Sequence, residues 1–287
     1  MNSFASKSKK SILITGCSSG IGYCVAKGLK ARGYHVIATA RREESVKQLS
    51  DEGFDSLQLD VADSHSIQAA FKQVLELTDG KLYGLFNNGA FGLPGAVEDL
   101  SRESLKYQFE TNVFGWLELT NLAIPVMRRQ GFGRIIQNSS VLGFVAMPFR
   151  GAYNASKYAI EGLSDTLRLE LKNTELYVSL IEPGPIISKF RENAVIALEK
   201  NIDIENSVHR DKYHGVLARL KKKGPAAPFT LPPEAVLKRV IHALESKHPK
   251  PRYYVTFPTY LFGFLKRLLS HRQMDYILAK AGNDGKQ

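Results

Sequence analysis

Residues 11–22 read SILITGCSSGIG. A short apolar run, 11–15, stops at Gly16, and Gly20 and Gly22 open a segment with helical periodicity over 21–31. A strand that feeds a helix through a glycine-rich turn is a phosphate cradle. Gly16 permits the sharp turn, Gly20 lets backbone approach a pyrophosphate, and Gly22 lets helix and strand pack closely. The helix N-terminus, reached through Ser18, Ser19 and Ile21, offers free N–H groups and a partial positive charge to phosphate. The spacing is GxxxGxG, not the more familiar GxGxxG, but the physics is the same.

Outward from this turn, apolar runs alternate with amphipathic ones. Strands are expected at 34–39, 56–60, 82–87, 134–139 and 176–181, and helices at 64–77, 103–130 and 152–172. The runs lack polar alternation, as strands covered on both faces do. Strand–helix alternation predicts right-handed crossovers and a parallel sheet. The fold class is therefore α/β, a Rossmann-type doubly wound parallel sheet. One domain is expected over 1–287, with a cofactor-binding core at 10–182, a substrate loop at 183–230 and a C-terminal helical extension at 231–287.

The second strand ends TARR, at 39–42. An acidic residue near this point would meet a ribose 2′-hydroxyl; Arg41 and Arg42 instead favour a 2′-phosphate, which a guanidinium binds in bidentate fashion. NADP(H) is thus expected over NAD. Asp60 closes the third strand in LQLDVAD, where its carboxylate and Val61 could meet an adenine edge, although an Asp there is also a helix cap. In AYNASKYAI, at 152–160, Tyr153 and Lys157 stand one helical turn apart on one face. A free phenol titrates near 10, too high for easy exchange at neutrality, and a neighbouring ammonium favours the phenolate.

The 287 residues are 44% hydrophobic and 23% charged, enough for a sizeable core. Two cysteines without a CxxC argue against a disulfide framework and a zinc site, and for a reducing, cytoplasmic setting. The N-terminal MNSFASKSKK lacks the apolar stretch of a secretory signal. A net charge of +11 invites an anionic partner or is simply a solvated basic surface. No aromatic–basic pattern supports nucleic acid, and none is expected. The tail from Thr256 to Gly282 mixes aromatic and aliphatic residues with Lys266, Arg267 and Arg272. It is expected to pack on its own domain or a partner subunit, with peripheral membrane contact as the alternative.

TGCSSGIG (15–22), NNGA (87–90), paired serines before Tyr153 and Lys157, and EPGPI (182–186) together make the chain resemble the classical short-chain dehydrogenase/reductases over about residues 10–245. Within that family it is similar to NADP-dependent aldehyde reductases and to retinol and 17β-hydroxysteroid dehydrogenases. The resemblance implies a catalytic tetrad of Asn112, Ser140, Tyr153 and Lys157. Asn112 would hold a water or backbone group that keeps Lys157 in line. It further implies cofactor contacts from Asn88, Gly89, Tyr153, Lys157, Pro183, Gly184, Ile186 and Ser188, the last being also a candidate helix cap. NNGA departs from the family's usual NNAG.

The resemblance implies NADPH-dependent reduction of an aldehyde or ketone, reversible as alcohol oxidation, in a homodimer or homotetramer. Apolar candidates for the pocket wall (Phe91, Leu93, Phe144, Val145, Met147, Phe149, Ile186, Ile187 and Phe190) suggest a small lipophilic substrate. The competing readings are a non-catalytic NADP-binding regulator on the same fold, a sugar-nucleotide epimerase and a nucleic-acid binder.

Overall fold

The computed structural model describes residues 10–225 and 227–282. The reading of the first nine residues therefore lies outside the described chain. Seven parallel strands form one sheet: β1 (Ser11–Ile14), β2 (His35–Ala40), β3 (Asp55–Gln58), β4 (Gly84–Asn87), β5 (Gly133–Asn138), β6 (Leu176–Glu182) and β7 (Arg252–Tyr254). Their order is β3-β2-β1-β4-β5-β6-β7. The chain winds outward from β1 in both directions, so a crevice opens where β1 and β4 end side by side.

Alternate residues of each strand face opposite layers. Ile12 and Ile14 meet α1 (Gly20–Ala31) and α9 (Glu234–Glu245) on one face. Leu13 and Leu85 meet α3 (Ser64–Leu77) and α5 (Gly115–Gln130) on the other. Burial on both faces is why these strands lack polar alternation.

Helix α2 (Glu43–Asp51) follows Arg42 directly. The stretch 103–130 is not one regular helix. It consists of α4 (Arg102–Phe109), a π-helical turn at Glu110–Phe114 and α5. Gly115 shows why the rod sits where it does: a Cβ there would lie 1.7 Å from the Val61 carbonyl oxygen. Helix α6 (Gly151–Glu170) carries Tyr153 and Lys157.

Residues beyond β6 are more regular than their sequence suggests. They form α7 (Phe190–Asn201), α8 (Arg210–Lys221), α9, the edge strand β7, α10 (Phe257–Leu268) and α11 (His271–Gly282). The last two helices pack Phe262, Met274 and Leu278 against Val141, Leu142 and Val145 after β5. The tail thus covers its own domain, while Phe257, Leu261, Phe264 and Leu268 remain exposed on α10. Among the described residues no helix is long and apolar enough to cross a membrane.

Candidate active site

The crevice is built from turns that only glycine allows. Gly16 and Gly20 have φ of +72° and +59°. A Cβ on Gly16 would stand 2.7 Å from Gly89 Cα, and one on Gly22 would stand 2.2 Å from the Gly16 carbonyl oxygen. The loops after β1 and β4 therefore touch backbone to backbone. Gly89 sits at that contact and Ala90 packs on Val113 and Trp116, which accounts for the order Gly89-Ala90. Ser19 precedes α1 without its side chain capping the helix, so the first-turn N–H groups face outward past exposed Ser18. Such a cradle at a helix N-terminus fits a pyrophosphate.

Thr15, which sequence reasoning passed over, staples the two loops. Its Oγ1 accepts from the N–H groups of Asn88 and Gly89, both at 2.8 Å. Asn88 Nδ2 donates to the Thr15 carbonyl at 2.9 Å, and Asn88 Oδ1 accepts from Asn138 Nδ2 at 2.9 Å. The Asn88 side chain, expected beside a ribose, is thus committed to holding the glycine turn. Arg41 and Arg42 are exposed at the end of β2, and neither guanidinium is ion-paired among the described residues. Asp60 lies two residues beyond β3, where Oδ1 accepts from Ala62 N–H at 3.0 Å. The cap of α3 is Asp63 instead. Val61 is buried against Gly115.

On the β5 side, Ser140 stands beside the Tyr153 phenol, while Ser139 faces Glu161. Lys157 is buried. Its Nζ donates to the Asn138 carbonyl at 2.7 Å and lies 4.2 Å from the Trp116 ring centroid and 5.7 Å from that of Tyr153. Neither the carbonyl nor Trp116 was foreseen.

The expected lowering of the Tyr153 phenol is corrected. Burial pushes it up to about 12, against the Ser140 hydroxyl beside it. Burial also pushes Lys157 down to about 7, against the pull of Glu161. Each group sits where its own charged form is poorly solvated, and the ammonium turns to a carbonyl and an indole, not to the phenol.

Asn112 is buried. It lies on the π turn, and its Nδ2 donates to the Phe91 carbonyl at 2.9 Å and to Ser156 Oγ at 3.1 Å. Its Oδ1 accepts from Phe91 N–H at 3.2 Å. It fastens the loop after β4 to α6 and does not reach Lys157.

Phe190, first in α7, meets the Tyr153 ring edge-on with centroids 5.3 Å apart. Ser188 Oγ accepts from Phe190 N–H at 3.3 Å, although the N-cap residue of α7 is Lys189, and the Ser188 Cβ limits the space at Gly20. Pro183 presents its carbonyl to Val141 N–H at 2.8 Å, and Gly184 leaves room for Thr256. Ile186 bridges to Leu231.

Of the expected wall residues, Leu93 and Phe149 pack into the interior. Leu93 is buried with Ala152 and Ala197, and Phe149 packs on Tyr213 and His209. Ile187 is exposed and Phe144 stacks on Tyr254. Aromatic and branched side chains carry no sequence mark that separates a core from a pocket.

Behind Lys157 lies a cluster the sequence did not announce. Arg252 reaches Glu182 and Glu161 at 3.0 Å each and Asp165 at 2.7 Å. Burial, then the neighbouring Glu161, pushes the Glu182 carboxyl from its ordinary 4.5 up to about 9. One guanidinium cannot balance three carboxylates, so Glu182 retains its proton at neutrality, and burial holds the Glu161 carboxyl above its ordinary range as well. As pH climbs, the unfolded chain ionises Glu182 before the native one does, and native stability falls toward pH 9. Glu182→Gln should therefore gain on the wild type between about pH 5 and about pH 9 in urea midpoints. An equal difference at both ends would remove the retained proton.

Residues 10–197 match the short chain dehydrogenase family. The uncharacterized oxidoreductase YbbO of Escherichia coli (strain K12) is 44% identical over 270 residues, 94% of each chain. The 17-beta-hydroxysteroid dehydrogenase type 1 of Homo sapiens is 33% identical over 257 residues, 85% of this chain and 77% of its own. A short-chain dehydrogenase from Streptomyces avermitilis superimposes with a TM-score of 0.74 at 28% identity, over 92% of this chain and 94% of that one. The chain belongs to the short-chain dehydrogenase family. It is an oxidoreductase on a nicotinamide-dinucleotide-binding fold, of the class that acts on CH–OH and carbonyl groups.

Proposed function

We propose that the protein is an NADPH-dependent reductase of lipophilic aldehydes or ketones, reversible as an alcohol dehydrogenase. The observation that carries this reading is the meeting of Ser140, Tyr153 and Lys157 beside the glycine cradle.

The dinucleotide, when bound, supplies the hydride that the carbonyl carbon receives. Gly16, Ser18, Ser19, Gly20, Ile21 and Gly22 would hold its pyrophosphate, and Arg41 and Arg42 its 2′-phosphate. Asp60 and Val61 would border the adenine. Gly89, Pro183, Gly184, Ile186 and Ser188 would border the nicotinamide, with Tyr153 and Lys157 at its ribose. Asn88 and Asn112 support these groups through Gly16 and Phe91.

Ser140 Oγ–H donates to the substrate oxygen and stabilises the charge that grows there. Tyr153 gives that oxygen its proton as general acid. Lys157, titrating near 7, can surrender a proton at neutral pH to restore the phenol.

Residues 10–182 act as the cofactor core, the described residues of 183–230 as the substrate cover and those of 231–282 as an extension bracing it. Phe190 against Tyr153 supports an apolar substrate. Turnover followed by NADPH absorbance should rise along a series of aldehydes of increasing chain length. A flat series, or a preference for short polar members, would remove the lipophilic assignment.

The exposed Phe114, Leu117, Leu163 and Leu169 support self-association into a dimer or tetramer through α5 and α6, which the particle mass in solution checks. The stripe on α10 supports peripheral contact with a lipid surface. The free thiols of Cys17 and Cys24 support a cytoplasmic setting.

A further inference from the structure

Outside the crevice, at the β7 edge of the sheet, a half-open cavity of about 370 Å³ lies between α9, β7 and α10. Cationic groups converge on it from three elements. Lys238 and Arg239 come from α9, Lys250 from the turn before β7, and Arg267 from α10. Among the described residues no Asp or Glu lines it. Its inner wall is Arg252, whose three carboxylate partners lie behind it. Lys238, Arg239, Lys250 and Arg267 form no ion pair among the described residues.

The walls are held in place by hydrogen bonds. Arg239 Nε donates to the Tyr254 carbonyl at 3.3 Å, and its Nη2 donates to Tyr260 Oη at 3.4 Å. His242 Nδ1 and Tyr253 Oη are 2.8 Å apart, and that Oη accepts from Lys250 N–H at 2.9 Å. Four like charges around one hollow repel each other, and a multiply charged anion relieves all of them together. The hollow has the size of a small-molecule site, larger than inorganic phosphate needs.

We infer that this cavity binds a phosphate-bearing anion, an organophosphate whose charged group meets Lys238, Lys250 and Arg267 and whose body lies against the tyrosines. The chemistry could come from a soluble phosphate ester or from a lipid headgroup. On α10, Tyr260 and Arg267 are seven residues apart on one flank, beside the exposed stripe of Phe257, Leu261, Phe264 and Leu268.

The test is calorimetric titration of the full chain with glycerol 1-phosphate, beside flotation with phosphatidylcholine vesicles with and without phosphatidic acid. Binding should weaken as salt rises. The double variant Lys238→Ala/Arg267→Ala should lose at least about tenfold in affinity. Arg41→Ala/Arg42→Ala, at the proposed dinucleotide site, should retain it, which separates this inference from the cofactor reading. The ligand-free melting point and aldehyde turnover of the Lys238/Arg267 variant should match the wild type; single Gln substitutions at each position provide the same comparison with less change in side-chain volume. Binding of glycerol 1-phosphate identifies a free organophosphate. Binding of phosphatidic acid vesicles alone identifies a headgroup. Absence of both, or equal binding by the Lys238/Arg267 variant, overturns the site.

Discussion

Tyr153→Phe should lower the proposed NADPH-dependent carbonyl reduction by about 10²–10⁴-fold, the usual worth of a positioned general acid. Affinity for NADPH should stay within about twofold, because the ring and its edge contact with Phe190 are kept. The hydroxyl alone is removed, and Ser140 keeps its hydrogen bond to the Pro183 carbonyl. Protein fluorescence for binding and NADPH absorbance for turnover separate the two effects. An active phenylalanine variant would dismiss Tyr153 as the acid. A wild type that binds NADPH and turns over no carbonyl would favour the non-catalytic regulator instead.

Arg41→Ala/Arg42→Ala has the second largest expected effect. Both guanidinium groups are exposed at the tip of β2 and are not ion-paired among the described residues, so their removal disturbs little of the fold. A charge-assisted hydrogen bond contributes about 1.5–3 kcal/mol, so losing two should weaken NADPH by about 10²-fold or more. NADH, which lacks the 2′-phosphate, should change by no more than about twofold by the same reasoning. Steady-state KM values for the two cofactors provide the comparison. Equal losses would mean that the arginines act on the general field and not on the phosphate.

The sheet could be read from residues because its signals are local. Ile12, Leu13 and Ile14 are all buried and so form an unbroken apolar run. Gly16 and Gly20 need positive φ, and Tyr153 and Lys157 share a face by helical spacing alone. What escaped the reading depends on distant pairings. The partner of Lys157 is a backbone carbonyl, which any residue at 138 would supply. Strand β7 is three residues long and carries an arginine, so it has too little pattern to stand out. The carboxylates gathered by Arg252 come from α6 and β6, and only the fold makes them neighbours. The Tyr153 acidity was misjudged because spacing reports which groups are near and not how poorly each is solvated.

The π turn at Glu110–Phe114 has a consequence for how this chain tolerates change in length. A regular helix advances about 100° per residue, so a turn that holds one residue extra offsets everything after it by that angle. Deleting a single residue between Phe109 and Gly115 would restore ideal winding. It would also swing the Asn112 amide off the Phe91 backbone, or else rotate Gly115 away from the Val61 carbonyl that only glycine can approach. The irregular winding lets one rod satisfy two fixed neighbours that do not share its natural phase.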